Sequence, residues 1–261
     1  AYYFLKRRDT AFARQAMTYA VVVGVVLSVA MPFIGHWHAL VVAEHQPIKM
    51  AAFENVGDTQ KNAPLYLFGW VRSDGETIGL AIPSGLSLML GLSPGHEVTG
   101  LNSVASGDRP PVQIVFQSYH LMIALGFFFA LVFLVAVALR IRGRLEKARW
   151  MHWVLIGCLP LSLLAINMGW TTTEVGRQPW VVQGLMRTSD GVSPTVSAGE
   201  IWATLGIFAL VYLVLFIAWL RIFLGIIKKG PDDVTRMPEA GYTAPGPVAT
   251  DAVAAPAGTE R

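Results

Sequence analysis

Residues 119–139 have the sequence YHLMIALGFFFALVFLVAVAL, which contains no Asp, Glu, Lys or Arg. An α-helix that crosses the hydrocarbon core of a bilayer needs about 20 consecutive apolar residues at roughly 1.5 Å of rise each. The stretch meets that length, and it has no polar stripe of the kind that a soluble amphipathic helix presents to water. Residues 119–139 are therefore predicted to form a transmembrane helix.

Three further stretches have the same character: 17–43, 150–173 and 201–224. Of the 261 residues, 54% are hydrophobic and only 14% are charged, whereas soluble domains have roughly 25% charged residues. This composition excludes a disordered chain and argues against an ordinary soluble domain. The predicted fold class is all-α: a polytopic membrane helical bundle with four transmembrane helices and one long extracytoplasmic loop.

The charges between the spans predict the orientation of the chain. Basic side chains concentrate in residues 1–16, in the short link 140–149 and after the last span, whereas the links 44–118 and 174–200 have few of them close to the spans. The basic residues are Lys6, Arg7, Arg8, Arg14, Arg140, Arg142, Arg144, Lys147, Arg149, Arg221, Lys228 and Lys229. The positive-inside rule then puts both chain ends and the 140–149 loop in the cytoplasm, and the other two links outside.

The long link and the C-terminal end carry two further predictions. Residues 44–118 have more acidic than basic side chains. This argues against a nucleic acid as partner, because its phosphates are bound by basic side chains. Residues 225–261 become rich in Pro, Ala, Gly and Thr, a composition typical of disordered segments. They are predicted to form a cytoplasmic tail.

Charged and aromatic residues share one face at the end of the third span, where residues 167–180 have the sequence NMGWTTTEVGRQPW. At about 100° per residue, Trp170, Glu174 and Arg177 lie on one helical face, and Pro179 is expected to end the helix. The Glu/Arg pair is open to two interpretations. It is either a solvated ion pair at the membrane interface, or a pair drawn into the bundle, where an ionisable group indicates a functional site.

Two other stretches place polar or sulfur-containing side chains close to predicted spans. Residues 46–54 have the sequence QPIKMAAFE, in which Lys49 and Glu54 would be about 140° apart on a regular helix. They are expected to act on opposite sides of a pocket, unless the segment is not fully helical. At the start of the second span, His120 precedes Met122 by two residues.

The segment GWTTTEVGRQPW at 169–180 closely resembles a motif of subunit I of cytochrome bd-type quinol oxidases, and residues 46–54 resemble the start of the quinol-binding loop of that family. The resemblance extends from about Lys6 to Lys229 and corresponds to the C-terminal half of the subunit. It implies that the chain is a C-terminal portion of an oxidase subunit, inactive alone, whose remaining histidine heme ligands lie in helices that precede it.

The resemblance assigns heme-binding roles to side chains at the start of the second span and the end of the third. Glu174 is implied as a metal ligand, axial or nearly so, of a heme at the oxygen-reducing site, with Trp170 and Arg177 lining the heme pocket. Met122 is implied as an iron ligand of the low-spin heme b. His120 stands where many family members have arginine, which suggests that it contacts the heme b propionates, tunes the heme potential or is a further candidate ligand.

In the loop, Lys49 and Glu54 are implied in quinol oxidation, with Glu54 as the base and Lys49 bonded to a quinone oxygen. The expected function is a quinol:dioxygen oxidoreductase of a bacterial inner membrane, electrogenic without proton pumping. Its expected cofactors are a low-spin heme b, a high-spin heme b, and heme d or a further heme b. Its expected partners are subunit II and a small accessory subunit. The alternative is a heme-free transporter or assembly module that uses an intramembrane Glu/Arg pair.

Overall fold

A computed structural model describes residues 1–231 of the chain, so most of the predicted tail lies outside the described residues. The chain divides into two units between Leu213 and Val214, and the described part of the second unit contains the end of the last helix. Within residues 1–231 there are seven α-helices and four short strands. In chain order they are α1 Tyr2–Lys6, α2 Thr10–His45, α3 Pro47–Glu54, β1 Leu65–Val71, β2 Thr77–Ile82, α4 Gly85–Gly91, α5 Val112–Ile141, α6 Arg149–Gly176, β3 Trp180–Val182, β4 Met186–Arg187 and α7 Ala198–Lys229.

Four of these helices, α2, α5, α6 and α7, are long and apolar enough to cross a membrane, and each contains one of the predicted spans. The all-α membrane bundle with four spanning helices is therefore confirmed. Each helix extends beyond its predicted span, because the polar residues next to an apolar stretch continue the helix outside the hydrocarbon. The last helix, for example, continues to Lys229 and includes the first residues that the sequence assigned to the tail.

The segment 44–118, expected as one long loop, is largely folded. It contains α3, the β1–β2 hairpin, α4 and the first turns of α5. The hairpin strands are antiparallel, with Val71 opposite Thr77 and Leu65 opposite Ile82, and the pairing shifts register between Tyr66 and Phe68. Aromatic and β-branched residues favour such strands, and a shift of this kind turns the backbone groups beside it out of the ladder.

Two hydrophobic clusters hold the first unit together. One surrounds α3 and the start of α5 and includes Met50, Phe53 and Val115. The other lies around the start of α2 and the link between α5 and α6, and it includes Val21 and Met151.

The second cluster is closed by a network of charged side chains. Glu146, in the turn between α5 and α6, accepts hydrogen bonds from Arg14 of α2 and from Arg140 of α5, with Arg14 Nε 2.7 Å from its Oε1. Arg140 also donates to the Thr18 hydroxyl over 2.6 Å. The link predicted as a basic loop is therefore tied to two helices.

The contact between α5 and α6 uses small side chains. Gly169, Thr172 and Gly176 follow one another at spacings of three and four residues, which places them on one face of α6. The Thr172 hydroxyl lies in this face and donates to the Ser118 hydroxyl of α5 over 2.9 Å, with both residues buried. Small residues at such positions let helix backbones approach closely inside a membrane.

Replacing Thr172 with valine should destabilise this contact. The substitution keeps the shape of the side chain but removes the donor to Ser118, and bonds of this kind between membrane helices are worth about 0.6 kcal/mol on average and up to roughly 1.7 kcal/mol. We expect a lower midpoint of thermal unfolding in detergent. Thr173→Val, at the next and exposed position, is the matched control and should leave the midpoint unchanged. Equal midpoints for the two variants would contradict this account of the contact.

Candidate functional site

The short helix α3 positions both charged residues of the QPIKMAAFE stretch. It starts at Pro47, whose missing N–H is no loss in the first turn of a helix, and it ends at Asn55 in the left-handed conformation. Because the segment is a helix throughout, Lys49 and Glu54 point to different neighbours. Lys49 is directed toward α6 and Glu54 toward β1 and α5, as the contacts below show.

Lys49 is only 8% exposed, and its side chain crosses α6 at Gly176. A Cβ atom placed on Gly176 would lie 3.3 Å from both Cγ and Cε of Lys49, so a larger residue would push the lysine away. The pKa of Lys49 is lowered, first by burial and then by the positive charge of Arg177, while Glu174 opposes the shift. The charges at the end of α6 therefore affect the protonation of Lys49.

Glu54 is 1% exposed, and its Oε2 accepts a hydrogen bond from the backbone N–H of Tyr66 in β1 over 3.0 Å. Burial raises the pKa of this carboxyl group to about 8, although the hydrogen bond from Tyr66 opposes the shift. The side chain of His120 lies beside it, with Nε2 3.7 Å from the same oxygen. Glu54 is therefore a buried acid with the proton affinity of a useful base.

His120 is 7% exposed, and each of its ring nitrogens lies against a backbone carbonyl oxygen. Nδ1 is 2.8 Å from the oxygen of Phe116, one turn earlier in α5, and Nε2 is 3.0 Å from the oxygen of Tyr66. The ring also stacks on that of Phe116 with centroids 4.0 Å apart. Its partners among the described residues are thus two carbonyl oxygens and Glu54, and the role at a heme that the sequence suggested for His120 stays a prediction.

Met122 lies two residues further along α5 and is half-buried against the cluster around α3. A Cβ atom placed on Gly169 of α6 would be 3.1 Å from its Sδ atom. Gly169 and Gly176 are seven residues apart, about two helical turns, and lie on nearly the same face of α6. Met122 thus packs against Gly169, and Lys49 packs against Gly176.

The predicted functional face of α6 is separate from this packing face. The helix runs to Gly176, so Trp170, Glu174 and Arg177 do share one side, as expected. The Arg177 guanidinium donates to the Glu174 carboxylate in an ion pair. Both side chains of the pair are 43% exposed and Trp170 is 63% exposed. These three groups are accessible from outside the described chain.

The turn that follows α6 is held by the remaining residues of the GRQPW motif. Gln178 donates from Nε2 to the carbonyl oxygen of Glu174 over 3.2 Å, and its own Oε1 accepts from the Thr188 hydroxyl over 2.7 Å. The backbone N–H of Thr188 donates to the carbonyl oxygen of Pro179 over 2.8 Å. These bonds fix the end of the helix turn that carries Glu174.

Arg187 joins this turn to the long outer segment and was not identified from the sequence. Its guanidinium lies 4.9 Å above the ring of Trp180 and also pairs with Asp108. A cation over an indole face in this geometry is attractive. Asp108 and Arg187 are 79 positions apart in the chain, so no local pattern could indicate the pair.

Donor chemistry tests whether these residues fit an iron porphyrin. Within residues 1–231 no group of three or more His, Cys, Asp and Glu side chains is arranged to hold a bare metal ion. A porphyrin supplies four ligands itself and needs axial donors, for which the Met122 thioether and the Glu174 carboxylate are suitable types. Arg177 is placed beside that carboxylate, where a guanidinium can pair with a propionate through two hydrogen bonds. The donor set fits heme.

The fold and this site together define a polytopic membrane protein in which a thioether, an exposed carboxylate and two buried ionisable groups lie around two packed helices. The family model described as cytochrome bd terminal oxidase subunit I matches residues 1–231. The chain belongs to the cytochrome bd terminal oxidase subunit I family.

Two curated relatives support this assignment. The chain is 31% identical over 244 residues to cytochrome bd ubiquinol oxidase subunit 1 of Bacillus subtilis, an alignment that covers 89% of this chain and 52% of that protein. It is 32% identical over 233 residues to a putative cytochrome bd menaquinol oxidase subunit I of the same organism, covering 87% and 51%. The chain spans about half the length of these curated relatives.

A solved structure agrees with the fold. The bd oxidase from Geobacillus thermodenitrificans superposes with a TM-score of 0.79 at 32% sequence identity, covering 88% of this chain and 53% of the solved one.

The charges at the end of α6 should control the titration of Lys49. Arg177→Gln removes a positive charge that lowers the Lys49 pKa and leaves the opposing Glu174 charge, so the pKa should rise. The measurement is the pH of half-maximal acetylation of Lys49, followed by mass spectrometry, which should move upward. Arg187→Gln removes a guanidinium that is paired with Asp108 instead and is the control. An unchanged or lower midpoint in Arg177→Gln would refute the electrostatic link.

Proposed function

We propose that this chain is part of a terminal respiratory oxidase, a quinol:dioxygen oxidoreductase that oxidises membrane quinol and reduces dioxygen to water. One observation carries the proposal: α3 brings two buried ionisable groups, Lys49 and Glu54, into contact with the two helices that carry Glu174 and Met122. Both relatives from Bacillus subtilis are named as quinol oxidase subunits, which favours an oxidase over the heme-free transporter or assembly module.

Glu54 is proposed as the base for quinol oxidation, a reaction that releases two protons with two electrons. A general base works best when its pKa is near the working pH, and burial has raised the pKa of Glu54 to about 8. Lys49 is proposed to donate a hydrogen bond to a quinol oxygen. Burial and Arg177 lower its pKa, which means that they favour the neutral amine over the ammonium ion. The neutral amine loses less hydration energy on burial.

Met122 and Glu174 are proposed as iron ligands, Met122 for a low-spin heme b and Glu174 for one of the two hemes of the oxygen site, which are a high-spin heme b and heme d or a further heme b. Heme, when bound, supplies the iron that takes up electrons and reduces dioxygen. The chain holds each donor in place: Gly169 leaves space beside the Met122 sulfur, and Arg177 orients the Glu174 carboxylate. Trp170, on the same face, would line the pocket.

We propose a bacterial inner membrane as the location of the chain, and the basic residues around the spans support one orientation in it. Both chain ends and the 140–149 link are proposed to be cytoplasmic, with α3, the β1–β2 hairpin and the 174–200 loop outside. Protons released from quinol near Glu54 would then leave on the outer side. Protons consumed with dioxygen would come from the inner side, so charge is separated without a pump.

Partners are proposed to cover the exposed apolar sides of the helices. Large apolar side chains are exposed along α2 and α7, among them Phe33, Trp37, Trp202 and Phe208. Lipid, subunit II and a small accessory subunit are the proposed neighbours.

Optical spectra of the intact oxidase, purified with its partner subunit, test the ligand assignments. We expect reduced heme bands and quinol-dependent oxygen uptake. Met122→Leu should selectively bleach or shift the low-spin bands because a thioether ligand is lost, and Glu174→Ala should do the same to the oxygen-site bands. Met151→Leu, a buried methionine in the distant cluster, and Glu44→Ala, an exposed glutamate, are matched controls. Unchanged spectra in both ligand variants would refute the assignments, and a colourless complex would refute the proposed function.

The pH dependence of quinol oxidation tests the role of Glu54. Below a pH of about 8 the carboxyl group holds its proton and cannot accept another. The value of kcat/KM should therefore rise with pH and level off above that value. Glu54→Gln should remove this dependence and slow the reaction about 10²-fold or more. Glu97→Gln, an exposed position in the same outer segment, should retain both rate and pH profile. A profile that Glu54→Gln leaves intact would exclude Glu54 as the base.

A further inference from the structure

The position of the Glu54 carboxylate depends on one backbone residue of the hairpin. Its Oε2 accepts from the N–H of Tyr66 over 3.0 Å. Glu54 is the last residue of α3, where the helix gives way to Asn55. A carboxylate at the end of a short helix can adopt several rotamers, so the donor that binds it decides where it points.

Tyr66 presents its backbone to this site because the hairpin is irregular there. The pairing of β1 with β2 shifts between Tyr66 and Phe68. The N–H of Tyr66 binds the Glu54 side chain, and its C=O binds the side chain of His120 over 3.0 Å. Residue 66 therefore connects two side chains through its own peptide groups.

His120 is itself anchored on α5. Its Nδ1 lies 2.8 Å from the carbonyl oxygen of Phe116, its ring stacks on the Phe116 ring, and it is buried. The ring therefore has a fixed place from which Nε2 can hold the strand. None of these contacts involves Met122, although Met122 is on the same helix.

We propose that His120 is a positioning residue for quinol oxidation: by holding the carbonyl oxygen of Tyr66 it fixes the Tyr66 N–H, which in turn orients the Glu54 carboxylate. This inference rests on the proposed function, since it assigns a role within the same site. The contacts that carry it are with β1 and Glu54, and the role at heme b that the resemblance suggested for His120 is a separate prediction.

Two amide substitutions of His120 distinguish the contact made by Nδ1 from the contact made by Nε2. A neutral imidazole has one N–H, and the bond to Tyr66 places it on Nε2. In His120→Asn the amide nitrogen stands near the place of Nδ1 and does not reach Tyr66, so that bond is lost. In His120→Gln the amide nitrogen reaches the place of Nε2, so the bond to Tyr66 is kept. Both replacements are polar and smaller than or similar to histidine.

Gln117 provides a matched control on the same helix and strand. Its Nε2 donates to the carbonyl oxygen of Gly69 over 2.8 Å, so it also ties α5 to β1. Gly69 is not the residue that binds Glu54. Gln117→Leu therefore loses one tie between helix and strand without affecting the contact that orients the base.

The experiment uses the intact oxidase with its partner subunit and compares two electron donors. One is a soluble quinol, whose oxidation needs a base; the other is ascorbate with a phenylenediamine mediator, whose oxidation does not. With quinol we expect His120→Asn to lower kcat/KM about tenfold, and His120→Gln and Gln117→Leu to stay within about threefold of the unmodified protein. With the mediator, all three should retain oxygen uptake within about twofold, and the reduced low-spin heme bands should be unshifted.

A double variant tests whether His120 acts through Glu54. Residues in one network give non-additive effects. In the Glu54→Gln background the base is already absent, so His120→Asn should lower quinol oxidation by no more than about twofold further.

Three results would overturn the inference. They are equal quinol kinetics in His120→Asn and Gln117→Leu, additive losses in the double variant, and shifted low-spin heme bands with parallel loss of activity for both donors. Each of these leaves the proposed function intact. That function fails on a different result, namely an unmodified complex that lacks heme bands or does not oxidise quinol.

Discussion

The close approach of α6 to α5 and α3 is the constraint on which the rest of the site depends. It is possible because α6 presents Gly169, Thr172 and Gly176 on one face. The Met122 sulfur and the Lys49 side chain each fill the space that one of the two glycines leaves. The buried Thr172–Ser118 hydrogen bond fixes the rotation of one helix against the other. Since the neighbouring face of α6 carries Trp170, Glu174 and Arg177, that rotation also decides where those three side chains point.

The buried charges of α3 follow from the same packing. Lys49 and Glu54 are on one short helix but do not neutralise each other, because they contact different elements. The negative charge of Glu174 favours the charged form of Lys49 and opposes the effect of Arg177. The Glu54 carboxylate accepts a hydrogen bond from the peptide N–H of Tyr66. Unpaired burial of a carboxyl group is costly in its charged form. The protein tolerates this cost at the position where a proton acceptor is proposed, which is a common sign of a functional group.

The sequence predicts the parts of the structure that depend on composition and on local spacing. The four spans follow from apolar length, and the shared side of Trp170, Glu174 and Arg177 follows from helical periodicity with Pro179 as a stop. The folded nature of 44–118 could not be predicted, because its strands are short and the hairpin is bent by a register shift at Tyr66. Contacts made through the backbone of a distant residue could not be predicted from the sequence either. His120 and Tyr66 are 54 positions apart, and only the carbonyl oxygen of Tyr66 takes part.

The connection between α2 and α3 consists of Gln46 alone. Its N–H donates to the carbonyl oxygen of Val42, and its own carbonyl accepts from Lys49 and Met50. No flexible linker is available to absorb a change in the tilt of α2. Membrane helices respond to a thinner or thicker bilayer by tilting. A change in the acyl-chain length of the surrounding lipid would then change the tilt of α2 and displace α3, together with Lys49 and Glu54.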